Sequence, residues 1–128
     1  MNEHYDLIKK IITDEGYKVE EEEIDEFITV RYQLNSIHVC PTADVRFVSV
    51  ILPNFAEVNE ENYPKVVMCC NKLNEELKQV KLFTINDTII AAYEFFFMEE
   101  EDLAFHIEQA MHCLIEAKVA YHKLEKER

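Results

Sequence analysis

The sequence predicts an α+β fold in which a mostly antiparallel sheet of five or six strands is packed by helices, in the order α-β-β-β-β-α-β-β-α. Residues 28–34 alternate between apolar and polar side chains, which is the pattern of a half-buried strand. Residues 45–52 and 89–98 are apolar at almost every position, whereas three other segments show helical periodicity. The 128 residues include 48% apolar side chains and one glycine, so we expect a single domain over 1–128.

The first predicted helix covers residues 3–14 and ends before Gly16, a residue type that suits a helix C-terminus. Its apolar side chains share one face, formed by Leu7, Ile8, Ile11 and Ile12. Residues 17–22 are then expected to adopt an extended conformation that leads into an acidic stretch.

The next predicted strand covers residues 27–34 and directs four apolar side chains to one face, namely Ile28, Val30, Tyr32 and Leu34. A turn at residues 35–36 leads to a short strand over 37–40, which Pro41 ends. The apolar run 45–52 predicts a strand that is covered on both faces.

A central helix is predicted over residues 60–78, with Asn59 as its cap. Residues 80–85 and 88–98 form a predicted hairpin about Asn86 and Asp87, residue types that tolerate a tight turn. A long helix follows from residue 99 to the C-terminus. Its first turn contains four acidic residues, and its last turns contain Lys123 and Lys126, so both ends complement the helix dipole.

Adjacent cysteines in the central helix raise the question of a redox or metal centre. A helical projection places one arc of apolar residues toward the core: Tyr63, Val66, Val67, Cys70, Leu73 and Leu77. We therefore interpret Cys70 as a core residue and Cys69 as a partly exposed thiol at the edge of the arc. Neighbouring helical residues point in different directions, so no disulfide or metal site is predicted here.

Asn74 also falls inside this apolar arc. A buried amide needs hydrogen-bond partners, because leaving it unpaired costs about 1–3 kcal/mol. We expect Asn74 to bond backbone groups where the helix ends and the next strand begins. The alternative is a slightly rotated helix that leaves Asn74 half-exposed.

The run CCNKLNEELKQVKLFTINDTIIAAYEFFF, followed by a helix ending in AKVAYHKL, resembles the YbjN-type family, whose fold is shared with type III secretion chaperones. The features of this resemblance are an asparagine late in the central helix (Asn74), the hairpin after it, an aromatic last strand, and an aromatic near the end of the last helix (Tyr121). The resemblance implies a sheet packed by helices, self-association, and a role in binding proteins or in regulation. It implies no enzymatic activity.

The last helix has two apolar strips. The core strip is predicted to contain Leu103, Ile107, Ala110, Leu114, Ala117, Tyr121 and Leu124. A second strip on the opposite side is a candidate protein-binding surface, formed by Phe105, His112, Ile115 and Val119. The second faces of the two apolar strands are a further candidate, and a second copy of the chain is one way to cover them. The alternative is a scatter of exposed apolar residues.

The formal charge of −13 and the pI near 4.7 argue against nucleic acid and anionic membranes as partners. No catalytic motif, metal-ligand set or cofactor motif is present, so we predict no catalytic residues, no metal and no cofactor. Four cysteines without a pairing pattern, and no segment typical of a signal peptide or membrane helix, predict a cytoplasmic protein.

Three hypotheses of function follow. The leading one is a non-enzymatic protein-interaction module, with a regulatory role open, that forms a homodimer. The second is a secretion chaperone that holds an extended segment of a client protein. The third is an enzyme or small-ligand-binding protein with a pocket between the sheet and the helices.

Overall fold

The computed structural model describes residues 3–20, 26–42 and 45–127 and has the predicted α+β fold, with the elements in the predicted order. The helices are α1 (Glu3–Asp14), α2 (Tyr63–Glu76) and α3 (Leu103–Lys126). The strands are β1 (Lys18–Glu20), β2 (Ile28–Tyr32), β3 (Asn35–Pro41), β4 (Phe47–Leu52), β5 (Val80–Ile85) and β6 (Thr88–Phe96). The extension and acidic stretch predicted beyond residue 20 lie outside the described residues.

The strands form one six-stranded sheet in the order β1-β2-β3-β4-β6-β5, and every neighbouring pair is antiparallel. Helix α2 connects β4 to β5 at the edge of the sheet, and the hairpin at Asn86-Asp87 returns the chain as β6 beside β4. This connection places the two apolar strands, β4 and β6, next to each other in the middle of the sheet.

All three helices pack on one face of the sheet. Helix α3 crosses β4, β5 and β6, with α1 on its β1 and β3 side and α2 on its β5 side. The side chains between the helices and the sheet form one cluster of buried residues, in which Ile8, Val50 and Leu114 are fully buried. The predicted core strip of α3 lies in this cluster, together with Met111, although Leu124 is only partly buried.

The turn between β2 and β3 differs from the prediction. Strand β3 begins at Asn35, and the turn residues are Gln33 and Leu34, which adopt left-handed φ angles of 48° and 67°. Leu34 was predicted to point into the core with Tyr32 but is 92% exposed. Alternation could not reveal this, because a leucine continues an apolar pattern whether the strand has ended or not.

Two helices begin later than predicted. The segment before α2 forms a turn in which Asn59 and Asn62 each accept a hydrogen bond from the other's backbone N–H, at 2.8 and 2.9 Å. Asn59 therefore closes a turn that precedes the helix, which itself begins at Tyr63. The acidic residues predicted in the first turn of the last helix instead form a short 3-10 turn, Glu100–Asp102, and α3 begins at Leu103.

Within the described residues, strand β4 is covered on one face only. Val48, Val50 and Leu52 are buried beneath the helices, whereas the alternate side chains Phe47, Ser49 and Ile51 are only half-buried. The apolar run indicated burial correctly on one face, but none of the described helices lies over the other.

Candidate protein-interaction surfaces

The face of the sheet that points away from the helices, which we call the open face, is apolar at its centre. The pleat and the strand register place the following side chains on it: Phe27, His38 and Cys40 beside Phe47, Ser49 and Ile51 of β4, then Ile90, Ala92, Glu94 and Phe96 of β6, and Lys81, Phe83 and Ile85 of β5. The rings of Phe47 and Phe96 pack at 4.7 Å between centroids, and Phe96 is still 71% exposed. Two phenylalanines at this position leave a large apolar area in water.

The carboxylate on this face is paired within the sheet. Lys81 Nζ lies 2.8 Å from Glu94 Oε1, and the Ser49 hydroxyl donates to Glu94 Oε2 at 2.9 Å. The hydrogen bond from Lys81 holds the pKa of Glu94 below its ordinary value. The middle of the open face therefore presents a neutral pair among apolar side chains.

The thiols of α2 are both in the core. Cys69 and Cys70 are buried and unpaired, so the prediction of a partly exposed Cys69 is wrong. The helix is rotated relative to the predicted arc, which brings Cys69 inward and leaves Tyr63 and Val67 substantially exposed. Burial raises the pKa of the Cys70 thiol to about 11, so it is a poor nucleophile near neutral pH.

Asn74 joins the end of α2 to the edge strand β5. Its side-chain amide donates from Nδ2 to the Leu82 carbonyl at 3.0 Å, and its Oδ1 accepts from the Leu82 N–H at 2.7 Å. Asn74 is exposed, in line with the rotated-helix alternative. The amide bonds both the N–H and the carbonyl of Leu82, as a residue of a neighbouring antiparallel strand would. These two backbone groups on the outer edge of β5 are therefore already bonded.

Tyr121 is fully buried near the end of α3. Its ring packs edge-to-face on Phe55 at 5.8 Å, and its hydroxyl lies 3.4 Å from Glu125 Oε2. Burial raises the pKa of Tyr121, so the phenol stays protonated and acts as a packing residue.

Three of the four residues of the predicted strip on α3 line one hollow, namely His112, Ile115 and Val119. Phe105 is 60% exposed and packs its edge against His106 near the start of the helix. His112, Ile115 and Val119 lie further along, where His112 Nε2 contacts Glu116 Oε1 at 3.1 Å. Phe105 does not line that hollow.

A groove runs along α3 beside the turn between β2 and β3. It consists of two hollows, of about 590 and 380 Å³, on either side of Val119. Both hollows are lined by Gln33, Ile115, Val119 and Lys123, which we take as the definition of the α3 groove. The larger hollow also contains Lys118 and Lys126. Sequence reasoning assigned the lysines near the end of α3 to the helix dipole and did not connect them to a surface, since the turn that completes the groove is remote in sequence.

Other kinds of site are not apparent in the described parts of the chain. Among these residues, no three His, Cys, Asp or Glu side chains are grouped so that they could hold a metal ion. Within the same residues, no helix is long and apolar enough to cross a membrane.

The fold is similar to three solved structures. E. coli YbjN matches with a TM-score of 0.74 at 13% identity, over 94% of this chain and 92% of YbjN. The Yersinia pestis type III secretion chaperone SycH, in complex with a fragment of YscM2, matches with a TM-score of 0.61 at 12% identity, over 92% of this chain and 98% of the other. The ExsC–ExsE complex matches with a TM-score of 0.60 at 7% identity, over 94% of this chain and 92% of the other.

No family model matches the sequence, and no curated protein matches it at the sequence level. At identities of 7–13%, the structural similarity is a similarity of fold. The chain therefore has the fold that YbjN shares with type III secretion chaperones.

Proposed function

We propose that this chain is a non-enzymatic protein-interaction module that pairs with a second copy of itself through the open face. The observation that carries the proposal is the Phe47–Phe96 pair, on a sheet face that none of the described helices covers. Burying one such ring contributes about 1.5–3 kcal/mol. In a two-fold interface the same ring is buried once in each of the two copies, so its contribution counts twice.

Charge supports a second copy as the partner. The chain carries −13 overall, so two copies repel each other unless the surfaces that meet are close to neutral. On the open face, Glu94 is paired with Lys81, and Glu20 lies 3.4 Å from Arg31. Because these two described carboxylates are already paired, this part of the face can meet its own copy without bringing their negative charges together unpaired.

The comparisons support protein binding in general. SycH was crystallised in complex with a stable fragment of YscM2, ExsC in complex with ExsE, and YbjN is a proposed transcription regulator. These facts concern those proteins. For this chain, a regulatory role and a cytoplasmic location remain predictions.

The chaperone hypothesis would place an extended client segment along a sheet edge. At β5, Asn74 already bonds the outward-facing groups of Leu82, which opposes the addition of a strand there. We therefore favour association through the faces of the molecule rather than through this edge.

The experiment is sedimentation equilibrium of the wild type, Phe96→Glu and Phe105→Glu. Phe105 is a matched control, because it is an exposed phenylalanine on α3, away from the open face. We expect a dimeric wild type and a dimeric Phe105→Glu, whereas Phe96→Glu should weaken dimerisation by about 10²–10⁴-fold, as the loss of two buried rings implies.

A monomeric wild type at tens of micromolar, or a folded Phe96→Glu that keeps the wild-type mass, would refute self-association through the open face. If Phe105→Glu alone became monomeric, the start of α3 would be the interface instead.

A further inference from the structure

The α3 groove concentrates positive charge in an acidic protein. The chain has 13 Lys and Arg against 26 Asp and Glu, yet Lys118, Lys123 and Lys126 all line the larger hollow. Within the described residues, none of the three has a carboxylate within ion-pairing distance, and Lys118 Nζ donates instead to the neutral Asn35 amide at 2.7 Å. These ammonium groups are therefore available to an external anion.

Two carboxylates also lie at the groove. Glu116 lines the smaller hollow and is held by His112 at 3.1 Å, and Glu127 lines the larger one. Because Glu116 already contacts His112, it offsets the lysines only in part. The lysines outnumber the acids, and the groove stays cationic while the rest of the chain is strongly anionic.

The floor of the groove is apolar. Val119 is 61% exposed and stands between the two hollows, with Ile115 beside it. The aliphatic stems of the lysines extend this apolar area while their ammonium groups reach the rim. Such a surface suits a ligand that has apolar groups for the hollows and carboxylates for the rim.

The turn beside the groove is unusual for its residues. Left-handed φ angles at two successive positions normally call for Asn or Gly, yet this turn uses Gln33 and Leu34. Gln33 lines both hollows, and Leu34 at the tip is 92% exposed. A strained turn that presents a leucine to water is typical of a position kept for binding.

We infer that the α3 groove binds an acidic segment of a partner protein, in which apolar side chains are flanked by Asp or Glu. Its apolar side chains fill the hollows on either side of Val119, and its carboxylates meet Lys118, Lys123 and Lys126. Two adjoining hollows along the helix, with three lysines beside them, fit a peptide segment better than one short carboxylate ligand. This inference rests on the proposed function only in that the partner is a protein, since the groove lies on α3 and not on the open face.

The test is selection of a random peptide display library on the immobilised full chain. The groove variant is Lys123→Glu with Lys126→Glu, and the matched control is Lys9→Glu with Lys78→Glu, which changes two exposed lysines elsewhere. Both double variants lower the formal charge from −13 to −17, because each Lys→Glu change removes one positive charge and adds one negative charge. Circular dichroism checks that all chains are folded.

We expect the recovered peptides to be enriched in Asp and Glu together with Leu or Phe. They should bind the groove variant roughly tenfold more weakly than they bind the wild type. They should bind the control variant about as tightly as the wild type, although the control variant has the same net charge as the groove variant. Phe96→Glu should bind them unchanged, so failure of the dimer and failure of the groove can be told apart.

Three outcomes would overturn the inference. Recovered peptides without acidic enrichment would exclude an acidic partner segment. Equal loss of binding in the groove and control variants would attribute binding to net charge alone. Saturable binding of decanoate at the groove, with no peptide recovered, would assign the groove to a small amphipathic carboxylate instead.

Discussion

Replacement of Asn74 by alanine tests how the edge of the sheet is held. The change removes two hydrogen bonds, of 2.7 and 3.0 Å, between α2 and the Leu82 backbone in β5. Each such bond contributes about 0.5–1.5 kcal/mol, and the exposure of Asn74 argues for the lower half of this range, because water can replace the amide. The two bonds together are then worth about 1.5 kcal/mol.

Asn71→Ala is the matched control, because Asn71 is exposed on the same helix and one turn earlier. Alanine favours the helix over asparagine by roughly 0.5 kcal/mol in both variants. Asn74→Ala should therefore lower the free energy of unfolding by about 1 kcal/mol, whereas Asn71→Ala should raise it slightly.

Urea unfolding of both variants measures this difference. A gap of about 1.5 kcal/mol corresponds to roughly 6 °C in Tm for a chain of this size. If the two variants were equally stable, the amide would not hold β5 to α2, and the hydrogen bonds would have to be regarded as energetically neutral.

Three further predictions concern the turn, the thiols and the last helix. Gln33→Asn with Leu34→Gly should raise the free energy of unfolding by about 1 kcal/mol, because asparagine and glycine suit the left-handed φ angles of this turn. A less stable variant would contradict strain in the turn. Burial raises the pKa of Cys40 and Cys70 from 9.0 to about 11. As the pH rises from 9 to 11, these two thiols therefore ionise in the unfolded chain before they ionise in the folded one, and the urea midpoint should fall across this window. A midpoint that does not change with pH would refute the buried-thiol argument. Tyr121→Phe should change the free energy of unfolding by less than about 0.5 kcal/mol, because the contact that its hydroxyl makes is long. Tyr121→Ala should lower the free energy of unfolding by about 3–5 kcal/mol, because it removes the buried ring. Equal effects of the two changes would assign the role of Tyr121 to its hydroxyl.

Local pattern was sufficient to predict the order of elements. Strands β4 and β6 contain apolar residues at successive positions, and α1 and α3 have apolar strips at helical spacing, so periodicity alone separates the two kinds of element. The hairpin at Asn86-Asp87 was predicted for the same reason, since its turn residues tolerate the required backbone angles, and Asn86 has a φ of 54°.

Rotation and element ends were less predictable. The predicted apolar arc of α2 contained Tyr63 and Val67, which are substantially exposed, and left Cys69 at its edge, yet Cys69 is buried. Cysteine, valine and tyrosine are all compatible with a core, so the sequence cannot state which side of a mixed arc faces the sheet. Helix α2 also begins at Tyr63 rather than at residue 60, because Asn59 and Asn62 satisfy each other's backbone groups in a separate turn.

The sequence by itself determined the α+β class, the order of the elements and which strands are apolar, because these follow from spacing along one segment of chain. Only the tertiary structure decided that all three helices cover the same face of the sheet and leave Phe47 and Phe96 uncovered. It also brought Lys118 within 2.7 Å of Asn35, across 83 positions of sequence, and so formed the α3 groove. Such surfaces depend on the packing of distant segments, and no local pattern records that packing.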